Sequence, residues 1–205
     1  MGAEPYLPGR LSLTSLRQSV DGCRGCDLYR DATQGVMGEG QKRAEVMLVG
    51  EQPGDREDVA GKPFVGPAGR ELDRGLEEAG IDRTQVYVTN VVKHFRFERR
   101  GKRRIHRRPS AEQMAACRPW LEAELAVVKP RVLVALGATA SQALLGSTFR
   151  VSRQRGQIVP SDLAPVALAT VHPSSILRAP DEEARRLERK RFVEDLRVVA
   201  QQLEG

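Results

Sequence analysis

The sequence predicts an α/β fold, and three observations carry that expectation. Four short apolar runs at 44–50, 85–92, 131–136 and 166–171 lack polar alternation, as strands covered on both faces do. Segments with helical spacing lie between them, and Gly or Pro punctuates the junctions. The expected architecture is a three-layer α/β/α sandwich around a central, mostly parallel four-stranded sheet. The chain has 205 residues, which suits one domain over 1–205 with enough core to need no disulfide scaffold.

In chain order, Leu11, Leu13, Leu16 and Val20 share one helical face and lead into Cys23-Arg-Gly-Cys26. AEVMLVG at 44–50 is the first strand. The long Gly- and Pro-rich stretch EQPGDREDVAGKPFVGPAGR after it reads as a functional loop. Residues 70–79 form an amphipathic helix that Gly80 caps. QVYVTNVV is the second strand, and Ser110 with Gln113 is a capping box that opens a helix containing Cys117. RVLVAL is the third strand, Gly137 turns it into the helix ATASQALLG, and VALATV ends directly in HPSSILR. A charged amphipathic helix over 181–204 closes the chain.

Hydrophobic residues make up 40% and charged residues 29%, which excludes collagen and coiled coil, and no apolar run is long enough to span a bilayer. The start MGAEPYLPGRLSLTSL lacks the features of a secretory signal, and Tyr6 stands where a myristoylation motif wants Ser or Thr. The expected compartment is the cytoplasm, where Cys23, Cys26 and Cys117 stay unpaired. The formal charge is +6, yet RFERRGKRRIHRR at 96–108 alone holds eight basic residues and one Glu, so the rest of the chain is near neutral. This basic loop, inserted after the second strand, is either a solvated run or an arm for a phosphate backbone.

In parallel sheets, ligands bind beyond the carboxyl ends of the strands. Glu51, Gln52, Asn90 and His172 all fall there. Cys23, Cys26 and Cys117 supply three thiolates, and His94 is a candidate fourth ligand; the set suits zinc or an iron–sulfur cluster, with the ligand count leaning towards zinc. The alternative is that Cys117 is simply a small buried hydrophobe.

The motifs Gly50-Glu51-Gln52-Pro53-Gly54, Lys93-His94 and His172-Pro173-Ser174, in this order, resemble the iron–sulfur uracil-DNA glycosylases, and among them the UdgX type. Gln52, His94 and the insertion Lys102-Arg103-Arg104-Ile105-His106 depart from the commoner pattern in the UdgX direction. The resemblance implies a [4Fe–4S] cluster on Cys23, Cys26, His94 and Cys117, in place of zinc. It also implies a pocket in which Gly50, Phe64 and Asn90 receive a flipped uracil, Phe64 by stacking and Asn90 through its amide. His172 would hydrogen-bond the departing uracil, and Glu51 would steady the sugar cation, with Gln52 orienting what attacks. Lys102, Arg103, Arg104, Ser174, Ser175 and Arg178 would hold DNA phosphate, with Ile176 or Leu177 filling the gap in the stack.

His106 has two readings. By chemistry alone, a histidine in a basic arm is a phosphate contact; the same positive surroundings keep its imidazole neutral and nucleophilic. The resemblance implies the second, in which His106 captures C1′ of the abasic sugar as a stable single-turnover adduct. The alternatives are a multiple-turnover glycosylase that releases abasic DNA, and a non-catalytic metal protein that binds single strands. The expected partner is uracil-containing DNA, preferably single-stranded, bound by a monomer at the nucleoid of a bacterial cytoplasm, with no membrane involved.

Overall fold

A computed structural model of the chain describes residues 2–204, so Met1 and Gly205 of the expected domain lie outside the described residues. The central sheet is formed by β1 (Val46–Gly50), β2 (Val86–Asn90), β5 (Val132–Leu136) and β6 (Val166–Thr170). Their order is β2-β1-β5-β6 and every pairing is parallel, with Val46 opposite both Val86 and Val132, and Val132 opposite Val166. The predicted three-layer sandwich is therefore present.

The strand pleat divides the core. Met47, Val49, Tyr87, Leu133, Ala135, Ala167 and Ala169 point to one face. There they meet α1 (Leu13–Ser19), α4 (Ala111–Val128) and α5 (Ala138–Leu145) through Leu16, Trp120 and Ala140. Val46, Leu48, Val86, Val88, Val132, Val134 and Leu168 point to the other. Leu72 and Leu76 of α3 (Pro67–Glu78), Ile176 of α7 (Pro173–Leu177) and Phe192 and Leu196 of α8 (Glu182–Leu203) cover that face. Both faces are buried, which is why the strands read as continuous apolar runs. The predicted capping box forms: Ser110 Oγ accepts from the Gln113 N–H at 3.2 Å, and Gln113 Oε1 accepts from the Ser110 N–H at 2.9 Å.

Several short elements escape the sequence reading. The Gly- and Pro-rich stretch contains α2 (Asp55–Ala60), HPSSILR forms α7, and α6 (Val151–Gln154) is a single turn. The basic segment is a β-hairpin rather than a loop, with β3 (Phe97–Arg100) antiparallel to β4 (Arg103–His106). Gly101, at φ 58°, supplies the left-handed turn. Charge density hides this strand pair from a hydrophobic pattern, because its residues are not packed in a core.

One ionic group is fully enclosed. Lys93 Nζ donates to Glu124 Oε2 at 2.6 Å, Thr89 Oγ1 at 2.8 Å and the Asn90 carbonyl at 2.6 Å. Glu124 Oε1 also accepts from Tyr87 Oη at 2.8 Å and from the Gly38 N–H at 2.7 Å. Both charged side chains have no exposed surface. Lys93→Met strands the carboxylate and is expected to cost about 3–5 kcal/mol in urea unfolding. Adding Glu124→Gln, which keeps an acceptor for Tyr87 and Gly38, should recover part of that loss.

Candidate active site

From β1 the chain winds outwards to β2 on one side, and β5 and β6 lie on the other, so the strand order reverses between β1 and β5. A crevice of about 580 Å³ opens at the carboxyl ends of the strands there, where such folds bind ligands. Glu51, Gln52, Phe64, Asn90, His106, His172, Ser174 and Arg178 all line it. The sequence reading did not single out Glu57, Arg108 or Thr139, which also line it. Nothing in their local sequence marks them, since they reach the crevice from two different helices and from the segment that follows β4.

Gly50 ends β1 where two neighbours close in. A Cβ there would lie 2.4 Å from Asn90 Oδ1 and 2.9 Å from Phe64 Cζ. Glycine therefore lets a buried amide and an aromatic ring meet at the floor of the crevice. Phe64 itself has a φ of 56°, a costly backbone state for a bulky residue and one that concentrates at functional sites. Its ring lies 6.0 Å from that of His172, with 27° between the planes.

His172 is the N-cap of α7. Its Nδ1 accepts from the Ser174 N–H at 3.2 Å and lies 2.8 Å from Ser174 Oγ, which in turn accepts from Arg178 Nη1 at 2.8 Å. With Nδ1 used as an acceptor, the ring proton resides on Nε2. Burial, helped by Arg178 and His106, lowers the His172 pKa to about 4. The side chain is thus a neutral N–H donor, suited to a developing anion. Ser175 Oγ donates to the His172 carbonyl at 2.8 Å, which fixes the same turn. Ile176, expected at the DNA, is instead fully buried in the core; α7 packs on α3 and α8, and that side of the helix faces them. Leu177 is 37% exposed and is the apolar side chain of this pair that faces outwards.

The hairpin brings His106 to the crevice from outside the sheet. The amide of Gln52 is oriented by the Arg96 N–H, which donates to its Oε1 at 3.0 Å. Its Nε2 group then faces the Arg96 and Arg107 carbonyls at 3.1 and 2.9 Å and His106 Nε2 at 2.9 Å. Glu51 Oε1 is 3.4 Å from the same His106 nitrogen. The imidazole is half-exposed, yet its pKa is held below 6.5 by desolvation and by Arg178, against the pull of Glu51.

The hairpin turn and the pleat of β4 sort the basic residues. Lys102 and Arg103 are exposed. Arg104, expected on phosphate with them, is turned inwards: its Nε meets Asp55 Oδ1 and its Nη1 meets Asp58 Oδ2, each at 2.5 Å. Its side chain is only 15% exposed and lies over the Phe95 and Phe97 rings.

The expected metal ligands occupy another corner. Cys23, Cys117 and His94 are buried and Cys26 is half-buried, and all three thiols are free. Cys23 Sγ accepts from Trp120 Nε1 at 3.3 Å, and Cys117 Sγ from the Lys93 N–H at 3.2 Å. Burial pushes the Cys117 thiol up to about 12, opposed by Lys93 and reinforced by Cys26 and Cys23. Burial also leads the rise at Cys26 and the fall at His94. Among the described residues, no three His, Cys, Asp or Glu side chains converge as they would around one ion. Three free thiols near enough to influence one another's ionisation, two of them accepting an N–H on sulfur, are a donor set that suits a soft metal centre, zinc or iron–sulfur.

The sequence model of the uracil DNA glycosylase superfamily matches residues 37–197. A type-4 uracil-DNA glycosylase of Thermotoga maritima is 37% identical over 83% of this chain and 85% of its own length. One from Pyrobaculum aerophilum is 34% identical over 83% of this chain and 87% of its own. A type-5 uracil-DNA glycosylase from the same organism is 30% identical over 80% of this chain and 76% of its own.

The His172 ring should titrate near pH 4 and show the Nε2–H tautomer in nitrogen-15 NMR spectra. Arg178→Ala removes a positive neighbour, so the titration should move upwards; an ordinary titration near 6.5 in the wild type would contradict this assignment.

Proposed function

The chain belongs to the uracil-DNA glycosylase superfamily, and on that premise we propose that it excises uracil from DNA and captures the resulting sugar on His106. The observation that supports excision is the shared crevice of Asn90, Phe64 and the neutral His172. The observation that favours capture over release is the placement of His106 Nε2 between Glu51 and Gln52, at the rim of the same crevice.

A uracil base leaves the stack and enters above Gly50, where Phe64 stacks on it and the Asn90 amide matches its O4 and N3–H. Cytosine presents the opposite donor and acceptor pattern and leaves these buried groups unpaired. The C1′–N1 bond then breaks with its electron pair going to the base. His172 Nε2–H holds the uracil anion, and the Glu51 carboxylate steadies the positive sugar. The lone pair of neutral His106 closes on C1′ to form the new bond, and the imidazolium proton is lost to solvent. Lys102, Arg103 and Arg178 hold phosphate, and Leu177 fills the vacated stack. Capture, together with Gln52 and the hairpin, makes the UdgX type the closer reading within the superfamily.

Cys23, Cys26, His94 and Cys117 would hold a [4Fe–4S] cluster, which braces the fold and supplies no step of the reaction. His94 and Cys117 lie on either side of the hairpin in sequence, so this corner anchors both of its ends. A monomer that prefers single strands, in a bacterial cytoplasm at the nucleoid, completes this reading. Among the described residues, no helix is long and apolar enough to cross a membrane.

The test is a labelled uracil-containing single strand mixed with the protein, boiled in SDS and run on a gel. A shifted band that needs both uracil and His106 is expected, and His106→Ser should yield free abasic DNA instead. A wild type that releases abasic DNA with no shifted band is an ordinary glycosylase. One that releases no uracil is a binding protein. Gly50→Ala pushes Asn90 and Phe64 out of place and should slow uracil release by roughly 100-fold or more. Protonation removes the nucleophile as pH falls through the lowered His106 value. Adduct yield should therefore fall on the acid side below pH 6.5, while uracil release persists towards the lower pKa of His172.

A further inference from the structure

The hairpin is not part of the central sheet: among the described residues, its two strands pair only with each other. Something else must hold it against the crevice. Its base is fastened by Gln52, which bonds both the Arg96 and the Arg107 backbone. Farther along β4, a second fastening comes from Arg104. Residues 104 and 106 are two apart on one strand, so their side chains project to the same face. Any movement that lifts Arg104 from its partners therefore lifts His106 as well.

The partners of Arg104 are built to receive it. Asp55 accepts from its Nε, the Asp55 carbonyl accepts from Nη2 at 3.2 Å, and Asp58 accepts from Nη1. Asp58 is fully buried, and its carboxylate also accepts from the Thr33 N–H at 3.0 Å. Both acids lie on α2, whose N-cap Gly54 is three residues beyond Glu51. The segment that aims the Glu51 carboxylate at His106 thus also clamps the strand bearing that histidine. Phe95 and Phe97 form the surface beneath, with the guanidinium over both rings and His106 6.0 Å from Phe95.

We propose that Arg104 is a positioning residue: its clamp to Asp55 and Asp58 keeps His106 in reach of the sugar and so sets the partition between covalent capture and release of abasic DNA. This inference rests on the capture reading above. Excision itself depends on Asn90, Phe64, His172 and Glu51, none of which bonds Arg104. Loosening the clamp should therefore change the fate of the sugar and leave the departure of the base intact. A lysine retains the charge but cannot reach two carboxylates in a fork, so it should restore capture only partly.

The experiment measures, in single-turnover reactions on a uracil-containing single strand, both free uracil and the share of sugar in SDS-resistant adduct. Arg104→Met and Asp58→Asn should release uracil at near wild-type rates while the adduct share drops roughly tenfold or more and free abasic DNA takes its place. Arg104→Lys should fall between them and the wild type. An unchanged adduct share in the variants overturns the proposal alone. Parallel loss of uracil release and adduct also overturns it, since the clamp would then support the whole fold, and circular dichroism of each variant identifies that case. A wild type that forms no adduct overturns the capture reading and this proposal with it.

Discussion

The buried ion pair of Lys93 with Glu124 ties together parts of the molecule that perform different tasks. Burying two charges costs desolvation energy, and here the return is a full set of hydrogen bonds to Thr89, Tyr87, Gly38 and the Asn90 carbonyl. The ammonium of Lys93 holds the end of β2 where Asn90 faces the crevice, and its backbone N–H meets Cys117. Glu124 is anchored in α4, the helix that also contains Cys117. Asn90 and the thiol corner therefore share one rigid support. A hydrophobic pair could fill the same space, but it would not direct the Asn90 carbonyl.

On this support, the crevice is assembled from groups of two kinds. Gly50, Asn90 and His172 sit at or just beyond strand ends, where backbone position is set by the parallel ladder. His106 comes instead from a hairpin outside the ladder, and its position depends on side chains: the Gln52 amide, the Arg104 clamp and two phenylalanine rings. The two kinds match the two halves of the proposed reaction. In that proposal, groups on the rigid sheet edge receive and release the base, and the group on the fastened hairpin meets the sugar.

The electrostatics follow the same division. His172 is neutral because it is enclosed and faces Arg178, and its N-cap bonds determine which nitrogen keeps the proton. His106 is held below the ordinary imidazole value although half its side chain is exposed, because desolvation and Arg178 outweigh the one carboxylate beside it. Two histidines in one crevice thus stay uncharged by different balances. In the proposed reaction, one offers its N–H to an anion, and the other keeps a lone pair available.

The sequence by itself determined the layers, the four strands and the edge of the sheet at which chemistry collects, because apolar runs and Gly or Pro punctuation are local signals of a covered parallel sheet. The motifs around Gly50, Lys93 and His172 also named most of the crevice. What only the tertiary structure decided is which way side chains face. Lys102, Arg103 and Arg104 are one basic run in sequence, yet the hairpin turn exposes Lys102, and the pleat exposes Arg103 and turns Arg104 onto Asp55 and Asp58. Ile176 and Leu177 are adjacent and chemically alike, but packing of α7 against α3 and α8 buries one and exposes the other. Orientation of this kind depends on contacts made by residues distant in the chain, and no local pattern records them.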